Sequence, residues 1–478
     1  MRKTKIVATL GPATDDPEVL KAMIKAGMDV ARFNFSHGTH DEIRERVDLV
    51  RSVCKETGAI VALLADTKGP EVRLGTFEGG KAELVENTNF VLTSEKIEGT
   101  AAKASITYEG LAKDVRTGTR ILLDDGLIEL VVESVTGTNI TTRVINGGPI
   151  SNKKSVNVPG VNLNIPFISG KDRSDLRFMC EMGFHFIAAS FVRSDEDICL
   201  LKEELHRMGG EDIHIIAKIE NAEGVNNTDA ILAVSNGLMV ARGDLGVELE
   251  FEDLPAIQKE LIKKAYRQGK NVITATQMLE SMITKPRPTR AEASDVANAI
   301  YDGTSAIMLS AETSVGKYPI EAVKTMARIA TRTESDIDYH KRFVISTYKP
   351  EPSVTNAISH ATVTTAHDLE AAAILIVSKS GLTSRNVSKF RPLCPIIGGT
   401  PDERVQHQLK MAWGIIPVLT KLETTSADMI TGAISASLEG GYIEEGDLII
   451  ITAGVPVGQS GTTNLIKVHE VGEKLAIF

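Results

Sequence analysis

Short apolar runs alternate with amphipathic stretches from the first residues of the chain. Lys5–Leu10 predicts a strand, Asp16–Ala26 a helix, Asp29–Phe35 a strand, His40–Glu56 a helix and Ile60–Asp66 a strand. Runs of this kind predict βα units and a parallel sheet. The texture changes after Pro70. Residues 71–168 are rich in Thr, Val, Gly and Asn, with turn signals at Glu78-Gly79-Gly80, Asp124-Asp125-Gly126 and Asn146-Gly147-Gly148. No long helical period runs through them, which predicts a small all-β domain inserted into the α/β frame. The βα rhythm then resumes. Lys171–Met182 predicts a helix, followed by strands at Phe186–Phe191, His214–Ile219 and Leu238–Ala241. A helix at Asp253–Gln268, a strand at Asn271–Thr276, a helix at Thr289–Ile300, a strand at Ala306–Ser310 and a helix at Pro319–Glu334 complete the series. Three strands before the insert and five after it give the eight βα units of a (β/α)8 TIM barrel.

A third region begins near residue 345, around Lys349-Pro350-Glu351-Pro352. Strands are predicted at Ala373–Val377, Ile396–Gly398, Ile415–Leu419, Leu448–Thr452 and Leu465–His469. Helical stretches between them predict a C-terminal α/β domain. The expected organisation is therefore a barrel over 1–70 and 169–344, an inserted small β-barrel over 71–168, and an α/β domain over 345–478.

The 478 residues suit about three domains at roughly 150 residues each. A hydrophobic content of 42% predicts a large core and argues against disorder. The net charge of −10 argues against nucleic acid or an anionic membrane as the main partner. Clustered basic residues are then expected to serve small anions. Cys54, Cys180, Cys199 and Cys394 form no CxxC pair, which points away from zinc and from a disulfide framework and fits a cytoplasmic protein with reduced thiols. The apolar run after Lys5 is too short for a signal peptide, and no run approaches the roughly 20 apolar residues of a membrane span. In a cytoplasmic protein the sequon Asn139-Ile140-Thr141 carries no meaning.

In a barrel of this kind the active site lies at the C-terminal ends of the strands. The unusual polar residues fall there. The second strand yields Arg32, Asn34, Ser36 and His37, and the third Asp66, Thr67 and Lys68. The fourth ends at Ser190, the fifth at Lys218 and Glu220, and the sixth at Arg242, Gly243 and Asp244. The seventh ends at Thr276 and the eighth at Ser310 and Glu312. Glu220 and Asp244 are hard carboxylates on neighbouring strand ends and suit Mg²⁺, with substrate oxygens completing the shell. The blander reading is an acid pair neutralised by Lys or Arg. Lys218 lies in an apolar strand, where an unpaired ammonium is costly. It is either the partner of Glu220 or a cation set against a transferring phosphoryl group. Arg32 and Arg73 carry guanidinium donors that match phosphate oxygens. Gly243 permits close backbone approach, and Asp244-Leu245-Gly246 opens a short helix. Gly316-Lys317 lacks the rest of a P-loop, and no GxGxxG run occurs, so phosphate binding falls to metals, Arg and Lys. Asn34, Ser36, Asp66 and Thr67 are either turn-formers or ligands of a large monovalent cation, and spacing alone does not decide.

Several segments together resemble the pyruvate kinase family. They are Arg32-Phe33-Asn34-Phe35-Ser36-His37-Gly38, Asp66-Thr67-Lys68-Gly69-Pro70-Glu71-Val72-Arg73 and the run from Ile213 through Lys218-Ile219-Glu220-Asn221 to Val225. Met239-Val240-Ala241-Arg242-Gly243-Asp244-Leu245-Gly246, Thr274-Ala275-Thr276-Gln277-Met278-Leu279 and Pro286-Arg287-Pro288-Thr289-Arg290-Ala291-Glu292 continue the series in family order. The resemblance covers essentially the whole chain. It implies transfer of the phosphoryl group of phosphoenolpyruvate to ADP, with Mg²⁺ and K⁺. Lys218 would stabilise the transferring group and the enolate, Glu220 and Asp244 would hold Mg²⁺, and Arg32 would bind the substrate phosphate. Gly243, Asp244 and Thr276 would hold the substrate carboxylate end. Asn34, Ser36, Asp66 and Thr67 would bind K⁺, and Glu71 accompanies K⁺ dependence in this family. Asn34, His37, Arg73 and Lys154 would meet the nucleotide. The β insert would act as a lid that excludes water. Ser378, Lys379, Ser380, Gly381 and Thr383 would cradle a sugar-phosphate activator, with Gly458-Gln459-Ser460-Gly461-Thr462-Thr463 closing over it. The family also implies a homotetramer. A Mg²⁺-dependent pyruvate-enolate lyase on the same barrel would need neither the insert nor Lys218. A non-catalytic metabolite sensor would not need the full set of Lys218, Glu220, Asp244 and Thr276.

Overall fold

Four of the barrel helices begin at side-chain caps that the sequence supplies. Asp16 accepts a hydrogen bond from the Glu18 amide, and Thr39/Glu42, Ser169/Asp172 and Thr289/Glu292 form reciprocal capping boxes. Gly27 (φ 118°) and Gly303 (φ 100°) end their helices in the left-handed region. The computed structural model describes residues 1–345, 352–421, 425–455 and 463–475. Its parallel strands are Lys5–Thr9, Val30–Asn34, Ala62–Asp66, Phe186–Ala189, His214–Ile219, Gly237–Ala241, Asn271–Ala275 and Ala306–Leu309, and they close into a barrel. The last strand pairs with the first, with Lys5 opposite Ala306.

The barrel strands are buried on both faces, so they read as continuous apolar runs. Val7, Val30, Leu64, Phe186, Ala188, Ile216, Met239, Ile273 and Met308 pack together inside the barrel. The alternate residues Ile6, Ala31, Leu63, Ile187, Ile215, Leu238, Val272 and Ile307 pack outward under the helices. Strand side chains alternate faces, so counting on in twos from the interior set reaches Thr9, Arg32, Asn34, Asp66, Ser190, Lys218 and Glu220. The period that fills the barrel also aims its polar residues into the rim.

The structure differs from the expectation at several ends. The fourth strand stops at Ala189 because Phe191 is left-handed (φ 57°), and the seventh stops at Ala275 because Thr276 is (φ 67°). Ser190, Thr276 and Ser310 therefore lie just past their strands. Helices Asp195–Arg207, Ala222–Asn226 and Thr228–Val234 were not anticipated from the sequence, and the short helix expected at Asp244-Leu245-Gly246 runs over Arg242–Glu248.

Within the insert, Val156–Asn157, Arg120–Leu123, Ile128–Thr136, Asn139–Asn146, Asn89–Thr93 and Lys103–Ser105 form one sheet in that order. Gly148–Ser151 pairs with Lys81–Leu84 in a second sheet. Leu84, Phe90, Ile121, Leu130, Ile140 and Ile150 belong to one core, so the small barrel is two sheets around a shared interior. The C-terminal sheet has the order Ile415–Leu419, Ile396–Thr400, Ala373–Val377, Leu448–Gly454, Thr463–Glu470, and only the last strand is antiparallel. It docks under the barrel, at the end opposite the rim. Met411 enters the barrel's interior core, Lys5 Nζ donates to the Ile415 carbonyl at 2.7 Å, and the His407 and His185 rings stack at 4.4 Å. Residues 458–462 of the predicted closing loop lie outside the described residues. Among the described residues, no helix is long and apolar enough to cross a membrane.

Candidate active site

Lys218 is the centre of the rim. Its Nζ lies 2.7 Å from Ser190 Oγ, 3.0 Å from Asp66 Oδ1 and 2.8 Å from Glu220 Oε1. Asp66 is shared, because its Oδ2 accepts from Arg32 Nε at 2.8 Å. Arg32 Nη1 donates to Thr9 Oγ1 at 2.8 Å. The cations and acids are all buried. Burial disfavours the Lys218 charge, but the Asp66, Glu220 and Asp244 carboxylates outweigh it and hold the ammonium above the usual lysine range. Burial also disfavours the Asp66 charge, and Arg32 and Lys218 reverse this, keeping the carboxyl below its usual value.

Glu220 is arranged differently. Its Oε2 accepts from the Phe191 amide at 2.6 Å. Its Oε1 is buried and faces the Lys218 ammonium at 2.8 Å. Burial raises the Glu220 carboxyl above its usual value, with Lys218 opposing and Asp244 reinforcing the shift. The half-buried Asp244 at the start of helix Arg242–Glu248 adds a second hard oxygen donor. This pair fits a hard divalent cation such as Mg²⁺.

Thr276 closes the opposite side. Its Oγ1 accepts from the Gly243 amide at 2.7 Å and donates to the Ala275 carbonyl at 2.6 Å. Arg242 braces this corner. Its Nη2 donates to the Thr276 carbonyl at 2.6 Å, its Nε to the Ala275 carbonyl at 3.1 Å, and its Nη1 pairs with Asp295. Arg242, which the sequence placed on the rim, is thus a buried strut. Glu312 is another, accepting from the Leu279 and Ser310 amides.

Asn34 and Asp66 stand opposite each other in register, and Ser36 and Thr67 follow them. Asn34 Oδ1 accepts from the Ser36 amide at 3.0 Å, and Thr67 Oγ1 accepts from the Ser190 amide at 3.1 Å. These oxygen-bearing side chains share one corner of the rim, although both Asp66 oxygens already face cations. Arg73 and Lys154 lie on the β insert and are engaged within it. Arg73 pairs with Glu71 and donates to the Lys153 carbonyl at 2.8 Å, while Lys154 Nζ lies 2.7 Å from Asp124. His37 is exposed. Ser378, Lys379, Ser380, Gly381 and Thr383 lie elsewhere, in the C-terminal sheet's first strand–helix turn. There Gly381 is left-handed (φ 68°), and Thr383 Oγ1 meets Thr463 Oγ1 at 2.8 Å.

A cleft between the rim and the insert is lined by Arg73, Asp125, Ser155, Asn157, Arg193 and Asp244, among others. The sequence reading missed Thr9, Asn157 and Arg193 as members of this region. Thr9 was legible as the C-terminal residue of the first strand. Asn157 and Arg193 carry no local signal, since the chain's return from the insert brings them together.

The comparisons agree with this arrangement. The family model for the pyruvate kinase barrel domain matches residues 1–323, and that for the pyruvate kinase alpha/beta domain matches residues 356–469. A pyruvate kinase of Clostridium acetobutylicum is 48% identical over 472 residues, covering 98% of this chain and 100% of the relative. One of Geobacillus stearothermophilus is 50% identical over 477 residues, covering 99% of this chain and 81% of the relative. The crystal structure of a pyruvate kinase from Cryptosporidium parvum matches with a TM-score of 0.92 at 38% identity, over 98% of this chain and 96% of that one. Similarity over both the barrel and the C-terminal domain, at close to half identity with full-length relatives, places this chain in the pyruvate kinase family.

Proposed function

We propose that this chain carries the phosphoryl group of phosphoenolpyruvate to ADP at the Lys218 cluster, giving pyruvate and ATP. Arg32 receives the substrate phosphate. Gly243, Asp244 and Thr276 hold the carboxylate end, so that the bridging oxygen faces Lys218. The P–O bond to the enol oxygen breaks as a bond forms from the terminal phosphate oxygen of ADP to phosphorus. Negative charge then moves onto the enolate oxygen. Lys218 is already in place to meet that charge and needs no reorganisation. A proton taken up at the methylene carbon beside Thr276 completes pyruvate.

The family generally uses a divalent metal and K⁺, and Glu71 supports K⁺ dependence here. Glu220 and Asp244 would hold Mg²⁺, which supplies electrostatic stabilisation of the phosphoryl and enolate oxygens. Asn34, Ser36, Asp66 and Thr67 would hold K⁺. Arg73, His37, Lys154 and Asn34 meet the ADP phosphates, with Arg73 exchanging Glu71, and Lys154 exchanging Asp124, for phosphate oxygens. Residues 71–168 act as a lid on the barrel of 1–70 and 169–344, and 345–478 form the effector domain. There Ser378, Lys379, Ser380, Gly381 and Thr383 cradle a sugar phosphate. The chain works as a homotetramer in the cytoplasm, with free cysteines.

The observation that carries the reading is the buried Lys218 ammonium held at the rim by Asp66, Ser190 and Glu220, within 3.0 Å of each. The test is pyruvate formation from phosphoenolpyruvate and ADP, with and without each metal. Lys218→Met should lower kcat by about 10³-fold, the scale of losing one preorganised donor of charge stabilisation. Full turnover in that variant would remove Lys218 from the mechanism. Full turnover in K⁺-free buffer would remove the K⁺ site.

A further inference from the structure

The chain returns from the insert to the barrel through residues 161–166, which have no regular secondary structure. Backbone groups outside helices and strands must find partners elsewhere. Here one guanidinium supplies them. Arg193 Nη1 donates to the Leu163 carbonyl and to the Ile165 carbonyl, both at 3.1 Å. Between these residues, the Asn164 amide donates to Asp114 Oδ2 at 3.1 Å, and Asp114 also accepts from Tyr108 OH at 2.6 Å. The return segment is therefore held by the barrel through Arg193 and by the insert through Asp114.

Arg193 is itself fixed. Its Nε and Nη2 contact the two oxygens of Asp197 at 3.2 and 3.1 Å, its own amide donates to Asp197 Oδ2 at 3.0 Å, and its carbonyl accepts from Asn227 Nδ2 at 2.9 Å. Asp197 is buried in the first turn of helix Asp195–Arg207. The same short loop carries the rim. Ser190 Oγ accepts from Lys218, the Phe191 amide holds Glu220 Oε2, and Phe191 is left-handed with φ 57°. Val192 is fully buried. Only Val192 separates the residue whose side chain grips the insert's return from the residue whose amide orients the Glu220 carboxylate. A strained backbone at such a place persists only when its surroundings hold it.

We propose that Arg193 is a positioning residue that couples the placement of the β insert to the orientation of the Glu220 carboxylate. The proposal rests on the reading of Glu220 as a metal ligand. When the return segment is seated, both carbonyls hold the guanidinium, the loop is fixed, and the Phe191 amide keeps Glu220 Oε2 so that Oε1 faces the rim. When the insert swings away, the grip loosens, and the carboxylate loses its orienting amide. Metal affinity then depends on the insert, through a group that touches neither metal nor substrate.

The experiment is a titration of the full-length protein with Mn²⁺ alone, read by the disappearance of the free-ion electron paramagnetic resonance signal. Arg193→Lys keeps the charge but cannot span both carbonyls and the Asp197 fork. It should weaken Mn²⁺ binding by ~10-fold, the scale of losing an outer-shell partner of a metal ligand. Amides of 161–166 should also exchange hydrogen faster in that variant. Asp114→Asn loosens only the insert's own hold and should weaken Mn²⁺ binding less than Arg193→Lys. Glu220→Gln is the control for the underlying reading. If Glu220→Gln leaves Mn²⁺ binding unchanged, the metal assignment itself fails and the coupling falls with it. If Glu220→Gln weakens binding while Arg193→Lys stays within twofold of the native protein, or if Asp114→Asn does as much as Arg193→Lys, the coupling alone is overturned.

Discussion

Thr276 occupies a backbone region that β-branched residues rarely enter, at φ 67°, and Gln277 follows at φ 53°. Three groups hold it there: the Gly243 amide and the Ala275 carbonyl on its hydroxyl, and Arg242 on its carbonyl. Strain of this kind is of order 1–3 kcal/mol and collects where geometry matters. Thr276→Ala removes the hydroxyl that fixes the Gly243 amide, and kcat should fall about 10²-fold. Thr276→Ser should stay near the native rate. Thr276→Gly relieves the strain without restoring the hydroxyl, so native-like steady-state turnover there would mean that backbone shape, not the hydroxyl, was what counted. The sequence marked Thr276 as a strand end but could not show its left-handed turn. It did show Arg32, Asp66, Lys218 and Glu220, because each continues an interior-facing strand position by steps of two. Arg193 was hidden, since its partners are backbone carbonyls in a segment with no pattern of its own.

At the scale of elements, the decisive contact is between the end of the third strand and the loop after the fourth. Ser190 Oγ donates to the Thr67 carbonyl at 2.6 Å, and the Thr67 amide donates to the Ala188 carbonyl at 3.0 Å. Gly69 turns the chain from there toward the insert with φ 68°, and a Cβ on it would lie 2.8 Å from the Ser190 carbonyl oxygen. Gly69→Ala is therefore strained twice, by its own backbone and by Ser190. Since Ser190 seats Lys218, the expected result is a kcat loss of about 10²-fold, as for a small misplacement of a reacting group. The circular dichroism spectrum should remain that of the native fold. Native-like kcat would show that the Ser190 loop adjusts freely. The strands were legible because both faces are apolar. Helix Asp195–Arg207 was less so, since Ile198, Leu201 and Leu205 are the only apolar residues it fully buries. Ala222–Asn226 and Thr228–Val234 are too short for a helical period to declare itself.

At the scale of the whole molecule, the C-terminal domain is joined to the barrel base by contacts between residues far apart in sequence. Arg404 donates to the Phe184 carbonyl at 2.9 Å, Gln408 to the Asp212 carbonyl at 2.8 Å, and Arg391 to the Gly303 carbonyl at 2.8 Å. The chain showed that such a domain exists, but no periodicity reports a pairing over such separations. The junction also holds histidines that fold uncharged. His185 Nδ1 accepts from the Leu63 amide at 2.9 Å, and His407 Nδ1 lies 2.9 Å from the Val61 carbonyl. Burial, then the neighbouring His407, Arg404 and Arg51, holds His185 well below 6.5. Burial, then Arg385 and Arg404, pushes His214 down to about 3. His407 is lowered chiefly by burial, although the Val61 carbonyl and Glu403 oppose the shift and Lys410 and Arg51 assist it. A folded-state value below the unfolded one means that the unfolded chain binds more protons, so stability falls as pH drops below about 6.5. Lys5, lowered to about 7 by burial, acts with the same sign but only above that window. Asp29 is held well below its usual 3.8 by Arg2, Lys410 and Lys5 against the opposing effect of burial, and its contribution is lost only at more acid pH. Between about pH 6.5 and about pH 4.5 the histidines should therefore dominate the loss of stability at this junction. His214→Phe removes one of them while keeping a ring against Phe186, whose centroid lies 5.8 Å from that of His214. The thermal midpoint of this variant should fall less steeply than that of the native protein across that window, and equal slopes would show that the acid sensitivity arises away from His214.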